Sequence, residues 1–493
     1  MTIAPTRIPP GLLAPHPATR RVPWPELVAI AYAVVQLALV VPHLGLGWDE
    51  TVFVSQVDPR TPAAYFSAPR SRGISFLVAP VLAVTGSTTA LRVALALLSA
   101  GALYAAYRVW RPLIGPGRTA LASLLFAGLW TSLLYGPQAM PNLWVALSSV
   151  AAAGWFLRAM RPRAPRGTLI ALGATVAAAT SFRLSDGVWL ALPLLASCAA
   201  VRRWRRPAPL LAIVAGLALG GAEWVVEAYA RWGGVGNRLA VSSATQGGMG
   251  AQWAVGMAWR SLDGPLLCRP CRVGLAHPEL TLWWLALPVL VLAACLLALR
   301  TRRRSIIWLP ALCGAALSVP YLLLIGYSAP RFLLPAYALL ALPLATQAAD
   351  TYQSLHRPRA RFLLAAAAVV LLALHLAGQY RVLVHNEADA RATTGAYRSA
   401  AHGLRRLGLT PPCLVTGAHA PPVGYYAGCA SANVSGNNRN ITAQALLRRA
   451  AHDPTAALTA KDSGPPRYAR DWTPHPLPGT GLTAYVRSSS STP

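Results

Sequence analysis

Asp49 and Glu50 stand side by side in Gly47-Trp48-Asp49-Glu50, directly after the first long apolar run of the chain. A carboxylate at a lipid surface can take a proton from a hydroxyl or hold a divalent cation. It can equally do no more than mark a helix end in water, and a dipeptide does not decide between these. Arg70 and Arg72 follow in the same polar loop. Arg331 stands far downstream in Tyr327-Ser328-Ala329-Pro330-Arg331-Phe332-Leu333-Leu334-Pro335, where an apolar run begins. A guanidinium grips a phosphate with two parallel hydrogen bonds, and it also snorkels to an interface without any ligand. Arg183 and Asp186, at another turn between apolar runs, either pair with each other or face a ligand.

Other groups carry less. Glu223, Glu227 and Arg231 are spaced by four and read as an ion ladder along one helix face. Trp48, Trp224, Trp232 and Trp253 read first as interfacial belt residues and second as sugar-stacking platforms. Cys268-Arg269-Pro270-Cys271 has the spacing of a zinc or redox motif. It lacks a second Cys/His pair and a thioredoxin-like setting, so a local disulfide or two structural thiols is the better reading.

The elements that must position these groups follow from composition. Of 493 residues, 55% are hydrophobic and 12% charged, about half the charge of a soluble chain. This is the composition of a polytopic membrane protein. The net charge of +29 does not point to nucleic acid, because the arginines fall in short clusters between apolar runs. The first run, 27–41, follows Arg20 and Arg21, which favours a cytoplasmic start. The segment 74–84 is apolar but too short to span comfortably and reads as interfacial or re-entrant. Further runs bring the total to about eleven spans. Clusters such as Arg158-Arg161-Arg163-Arg166 and Arg300-Arg302-Arg303-Arg304 all fall on one side. Asp49, Glu50, Asp58, Asp186, Glu223, Glu227, Asp263 and Glu279 fall on the other, and only Glu26 and Asp350 lie with the arginine clusters.

Three regions are expected: a disordered cytoplasmic tail at 1–24, a transmembrane module at 25–378, and a small extracytoplasmic α/β domain at 379–493. In the last, 413–417 and 482–486 read as strands and 443–451 as a helix with Thr442 as N-cap. A Cys413–Cys429 disulfide would pin it, and the end from Ser488 is expected to be disordered. Cys198, Cys295 and Cys313 fall inside apolar runs and read as packed thiols.

With these pieces in place the chain resembles the GT-C superfamily of membrane glycosyltransferases, and is similar to its protein O-mannosyltransferase and aminoarabinose transferase branch. The resemblance rests on Asp49-Glu50 with the short apolar segment after it, on Gly86-Ser87 leading to Leu91-Arg92, and on Arg331-Phe332-Leu333-Leu334-Pro335. It implies an all-α polytopic bundle with a small C-terminal α/β domain in the cell membrane, its active site on the extracytoplasmic face. The donor it implies is a sugar on a polyprenyl phosphate, and the acceptor a glycan, lipid or protein hydroxyl. Asp49, with Glu50, would be catalytic. Arg331, Arg70, Arg72, Arg183, Asp186 and Tyr327 would bind substrate, with Arg331 on the departing phosphate. Relatives carry a second carboxylate where this chain has Gln138-Ala139-Met140-Pro141-Asn142. A two-carboxylate metal site thus lacks a ligand unless Glu50 or Asp186 substitutes, and a divalent cation, Mg or Mn, stays open. The rival classes are a transporter or lipid flippase, which internal repeats and midplane charges would favour, and an inactive scaffold acting through its outer tail.

Overall fold

The computed structural model describes residues 23–264, 266–269, 274–301 and 303–487. The expectations for the N-terminal tail, for Cys271 and for the end from Ser488 lie outside them. Among the described residues six helices are long and apolar enough to cross a membrane: Thr88–Ile114, Pro207–Trp232, Pro278–Ala298, Arg304–Leu324, Pro330–Ser354 and Pro358–Arg406. About eleven spans were expected, and the difference lies in runs that the structure interrupts or keeps short, and in the unbroken 19-residue helix Pro141–Ala159, which is long enough but less apolar. The run 120–134 breaks at Gly128 into Pro116–Ala127 and Trp130–Tyr135. The side-chain oxygen of Gln379 accepts a hydrogen bond from Trp130 N at 3.0 Å, satisfying the backbone freed by that break. Trp24–Val40, Gly73–Val84 and Leu184–Ala200 are shorter apolar helices.

Pro141–Ala159 runs through the middle of the bundle and is buried along almost its whole length. Around it the helices Arg166–Phe182 and Pro207–Trp232 pack closely. Gly216 explains the approach: a Cβ there would meet the Gly173 carbonyl oxygen at 2.5 Å, and without a hydrophobic drive between helices, small residues are what let backbones touch. Outer faces carry exposed Leu211, Leu219, Val289, Phe362, Val369 and Leu371, suited to lipid and not to water.

Pro358–Arg406 is one unbroken helix of 49 residues. It carries the chain across the expected 378/379 boundary without a stop. The apolar composition ends near Leu376, but a buried stripe continues through Val382, Leu383, Asn386, Ala390, Thr394, Tyr397, Ala401 and Leu404, at spacings that keep one helix face inward. Its last turns belong to the core of the following sheet, where Ala400 and Leu404 pack with Val415, Val423, Leu458 and Ala484.

That sheet has five strands: β1 Leu414–Gly417, β2 Ala430–Ala432, β3 Thr455–Ala460, β4 Thr473–Leu477 and β5 Leu482–Val486. Their order is β2-β1-β3-β5-β4. β1 runs parallel to β2 and β3, and β5 antiparallel to β3 and β4. The two strands read from sequence are β1 and β5. Ala443–Ala450 is helical, with the Thr442 side chain accepting from Ala445 N. Cys413 and Cys429 are disulfide-bonded, as is Cys268. Cys198, Cys295 and Cys313 are buried free thiols.

Candidate active site

Gly47 N-caps the seven-residue helix Trp48–Val54, placing Asp49 and Glu50 in its first turn, where the helix dipole favours negative charge. Both line one cavity, but their partners differ. Glu50 points into the protein and is buried. Arg92, wholly buried in the span Thr88–Ile114, grips it with a fork of 2.5 Å to Oε1 and 2.7 Å to Oε2. Backbone amides of Ala139 and Gly47 donate to the same two oxygens at 2.6 and 2.9 Å. With both oxygens so engaged, Glu50 is placed to fix the loop, and the expectation that it acts in catalysis finds no free oxygen on it. Arg92 also donates to the carbonyls of Gly45 and Pro137, so one guanidinium ties the stretches 45–50 and 137–139 to its own helix.

Asp49 opens into a cavity of about 840 Å³ that is also lined by Arg70, Arg183, Tyr327, Arg331 and Asn142. Its Oδ1 accepts from Arg70 Nη2 at 2.7 Å, and its Oδ2 from Arg331 Nη2 at 2.9 Å. Burial alone would raise the Asp49 carboxyl, but Arg70 first, then Arg331 and Arg183, outweigh it and hold the group below the usual carboxylate range. Arg331 sits in the short turn Pro330–Leu333 that opens the helix Leu334–Ser354. It also donates to Leu266 O at 3.2 Å and lies 5.3 Å from the Phe332 ring.

Arg70 is held from behind. Arg238, wholly buried, donates to the carbonyls of Ala68, Trp224 and Arg70 at 3.0, 2.6 and 3.0 Å and pairs with Glu227 at 2.9 Å. Arg72 was expected at the substrate. It turns instead to Glu227 at 2.8 Å and Glu223 at 3.3 Å and is not among the residues lining the cavity. Two carboxylates one helical turn apart need a cation between them, and Arg72 supplies it. The Glu223-Glu227-Arg231 ladder is therefore part of a larger network that includes Arg72 and Arg238.

Arg183 faces the cavity and makes no side-chain hydrogen bond among the described residues. Its nearest charge is Asp186 at 3.5 Å, and its guanidinium lies 5.3 Å from the Tyr321 ring. Asp186 is fully buried behind it, accepting from the Tyr321 hydroxyl at 2.5 Å. Asp186 was expected to bind substrate; its place off the cavity makes it the counter-charge of Arg183. Tyr327 lines the cavity and stacks beneath Arg269 at 4.5 Å. Sequence reading missed Arg238, and took Arg92, Arg269 and Asn142 only as parts of short motifs. A charge inside the apolar run of Arg92 was the available signal; no periodicity marks the others.

The donor set does not fit a divalent cation. Both oxygens of Asp49 are already on guanidinium groups, further cations crowd the same space, and the stretch 138–142 supplies an amide in place of an acid. Among the described residues no three His, Cys, Asp or Glu stand together to hold a metal.

No family model and no curated protein sequence matches the chain. Solved structures do. ArnT from Cupriavidus metallidurans bound to undecaprenyl phosphate is 14% identical, with a TM-score of 0.65 over 94% of this chain and 98% of that one. Archaeal oligosaccharyltransferase AglB from Archaeoglobus fulgidus, in complex with an inhibitory peptide and a dolichol-phosphate, is 13% identical, with a TM-score of 0.54 over 95% and 75%. An Archaeoglobus fulgidus oligosaccharyltransferase in complex with Zn and sulfate gives a TM-score of 0.55 over 90% and 69%, again at 13% identity. The chain has the fold of the GT-C membrane glycosyltransferases, as its motifs led one to expect.

Proposed function

We propose that this protein is a membrane glycosyltransferase that moves a sugar from a polyprenyl-phosphate donor to an acceptor hydroxyl on the extracytoplasmic side. The observation that carries the reading is the convergence of Asp49, Arg70 and Arg331, from the beginning and the end of the bundle, on one cavity. The fold shared with ArnT and AglB, crystallised with polyprenyl-type phosphates, supports it. The ion pairs support the sidedness. Glu26 pairs with Arg111, and Asp350 with Arg118 and Arg303, at the arginine-cluster end, away from the Asp49 cavity.

The donor phosphate lies against Arg183 and draws Arg331 from Asp49. A guanidinium fixed where charge develops contributes about 2.7–4 kcal/mol to the transition state. The acceptor oxygen attacks the anomeric carbon as the bond from that carbon to the phosphate oxygen breaks. The electron pair leaves with the polyprenyl phosphate, and the hydroxyl proton passes to Asp49. One displacement from the opposite face inverts the anomeric centre. In this reading 25–378 is the catalytic module, and the sheet domain roofs it.

The test is transfer by the purified full chain from undecaprenyl-phosphate-linked sugars to added acceptors, with Asp49→Asn and Arg331→Ala beside it. Vesicle transport without any glycosylated product would overturn the reading in favour of a transporter.

A further inference from the structure

Asn142 is fully buried, lines the cavity, and has neither its amide nitrogen nor its amide oxygen hydrogen-bonded among the described residues. Unpaired buried polar groups are rare in folded chains and costly to keep. It sits in the first turn of the long helix Pro141–Ala159, and the N-cap Met140, Pro141 and Asn142 all line the cavity. Phe182 lines it too, backed by Trp144 at 5.9 Å between ring centres in a stacked arrangement. A carboxamide beside an apolar plate thus stands in the chamber that holds Asp49 and Arg183.

We infer that Asn142 reads the hydroxyl groups of the transferred sugar, and that this sugar is neutral and hydroxylated. The inference rests on the transferase reading above and adds the donor's sugar class to it. The chemistry of the amide selects the ligand. The donor's phosphodiester offers acceptors only and would leave the Asn142 oxygen unpaired. Two neighbouring hydroxyls satisfy both ends, one donating to Oδ1 and the other accepting from Nδ2. The phosphate has Arg183 and Arg331 for its own partners. An amino sugar would add a cation to a cavity lined by Arg70, Arg183, Arg269 and Arg331 against Asp49, Glu50 and Asp389, a net positive wall, so a cationic donor is disfavoured. A site built around a hydroxyl pair rejects the analogue that lacks one of them, because the amide is then left half-paired.

The experiment measures displacement of radiolabelled undecaprenyl phosphate from the detergent-purified full chain. Competitors are bare undecaprenyl phosphate and its mannosyl, glucosyl, arabinosyl and 4-amino-arabinosyl derivatives, with single-deoxy versions of the neutral three. At least one neutral sugar-linked lipid is expected to bind wild type about tenfold or more tightly than the bare lipid. Asn142→Leu and Asn142→Ala erase that excess and leave bare-lipid affinity within about twofold. Because no hydrogen bond is lost in the free protein, the Leu variant keeps the wild-type melting temperature. The inference is overturned if no neutral sugar adds affinity in wild type, if the amino sugar binds best, if the variants keep the excess, or if they weaken bare and sugar-linked lipid alike. A wild type that fails to bind the bare lipid at all overturns the transferase reading itself, a separate outcome.

Discussion

Asp49 and Arg331 lie 282 positions apart in the chain and 2.9 Å apart in the fold. Arg70 holds the other carboxylate oxygen at 2.7 Å, so the carboxylate proposed to accept the proton rests between two cations. Such a carboxylate is a weak base until something competes for its partners. In the proposed reaction a donor phosphate is that competitor, and its arrival would couple donor binding to activation of the base.

Asp49→Asn should therefore abolish transfer without abolishing donor binding. The expected loss in rate is on the order of 10²–10⁴-fold, the usual worth of a positioned base. Affinity for bare undecaprenyl phosphate should stay level or rise, because Arg70 and Arg331 lose a competing anion. Transfer and lipid binding measured on one preparation check both halves. Weaker lipid binding by the variant would mean that Asp49 holds the guanidinium groups in place and does not compete with the donor.

The pH dependence follows from the same contacts. The Asp49 carboxyl is held below its ordinary range, which for Asp is near 3.9. Its ion pairs are complete above the unfolded value and are lost as pH falls through the lower folded one. For the free enzyme, kcat/KM should stay flat from neutrality down past pH ~4, with the acid limb below that. Arg70→Met removes the largest lowering charge and leaves the burial that raises the group, so the limb should move upward. A limb at the same pH in both proteins would assign it to another residue.

What the sequence made legible was whatever rests on local pattern. Alternating arginine clusters gave the bundle, and two short apolar stretches with turn residues gave β1 and β5. Asp49 and Arg331 stood out because charge at the mouth of an apolar run costs free energy. The roles of Arg72, Asp186 and Glu50 were hidden because each is set by a partner far away: Arg72 by Glu227, 155 positions on, Asp186 by Tyr321, 135 positions on, and Glu50 by Arg92. Asn142 gave no signal, since an amide at a helix start is ordinary until its burial is known. The continuation of Pro358–Arg406 past residue 379 was masked by a change in polarity that leaves the helical stripe intact.

The Glu50–Arg92 pair should govern folding more than chemistry. Both side chains are buried, so removing one charge strands the other. Glu50→Gln or Arg92→Met should each cost about 3–5 kcal/mol. The double variant should cost much less than the two together, because neither charge is then left alone. Thermal unfolding in detergent measures this. Additive losses would show that the fork contributes little beyond its separate backbone contacts.

The sheet domain reaches the loop that carries Asp49. Leu46 N donates to the Tyr426 hydroxyl at 2.5 Å, and Gly45 N to Thr394 Oγ1 at 3.3 Å. Arg398 donates to the His43 carbonyl at 3.1 Å. The fit at Gly45 is close: a Cβ there would stand 2.5 Å from Arg398 Nη2 and 2.9 Å from the Tyr426 hydroxyl. These contacts act three to six residues before Asp49, so they aim its carboxylate, and Tyr426 and Arg398 do so from outside the cavity lining. Tyr426→Phe should lower kcat by about tenfold, equivalent to about 1.4 kcal/mol, since small errors in the position of a reacting group are costly. Affinity for undecaprenyl phosphate should not change, because its cations lie on other elements. Gly45→Ala should do the same more strongly. If Tyr426→Phe and Gly45→Ala both turned over at the wild-type rate, the outer domain would be an independent scaffold resting on the bundle, with no part in setting the geometry of the base.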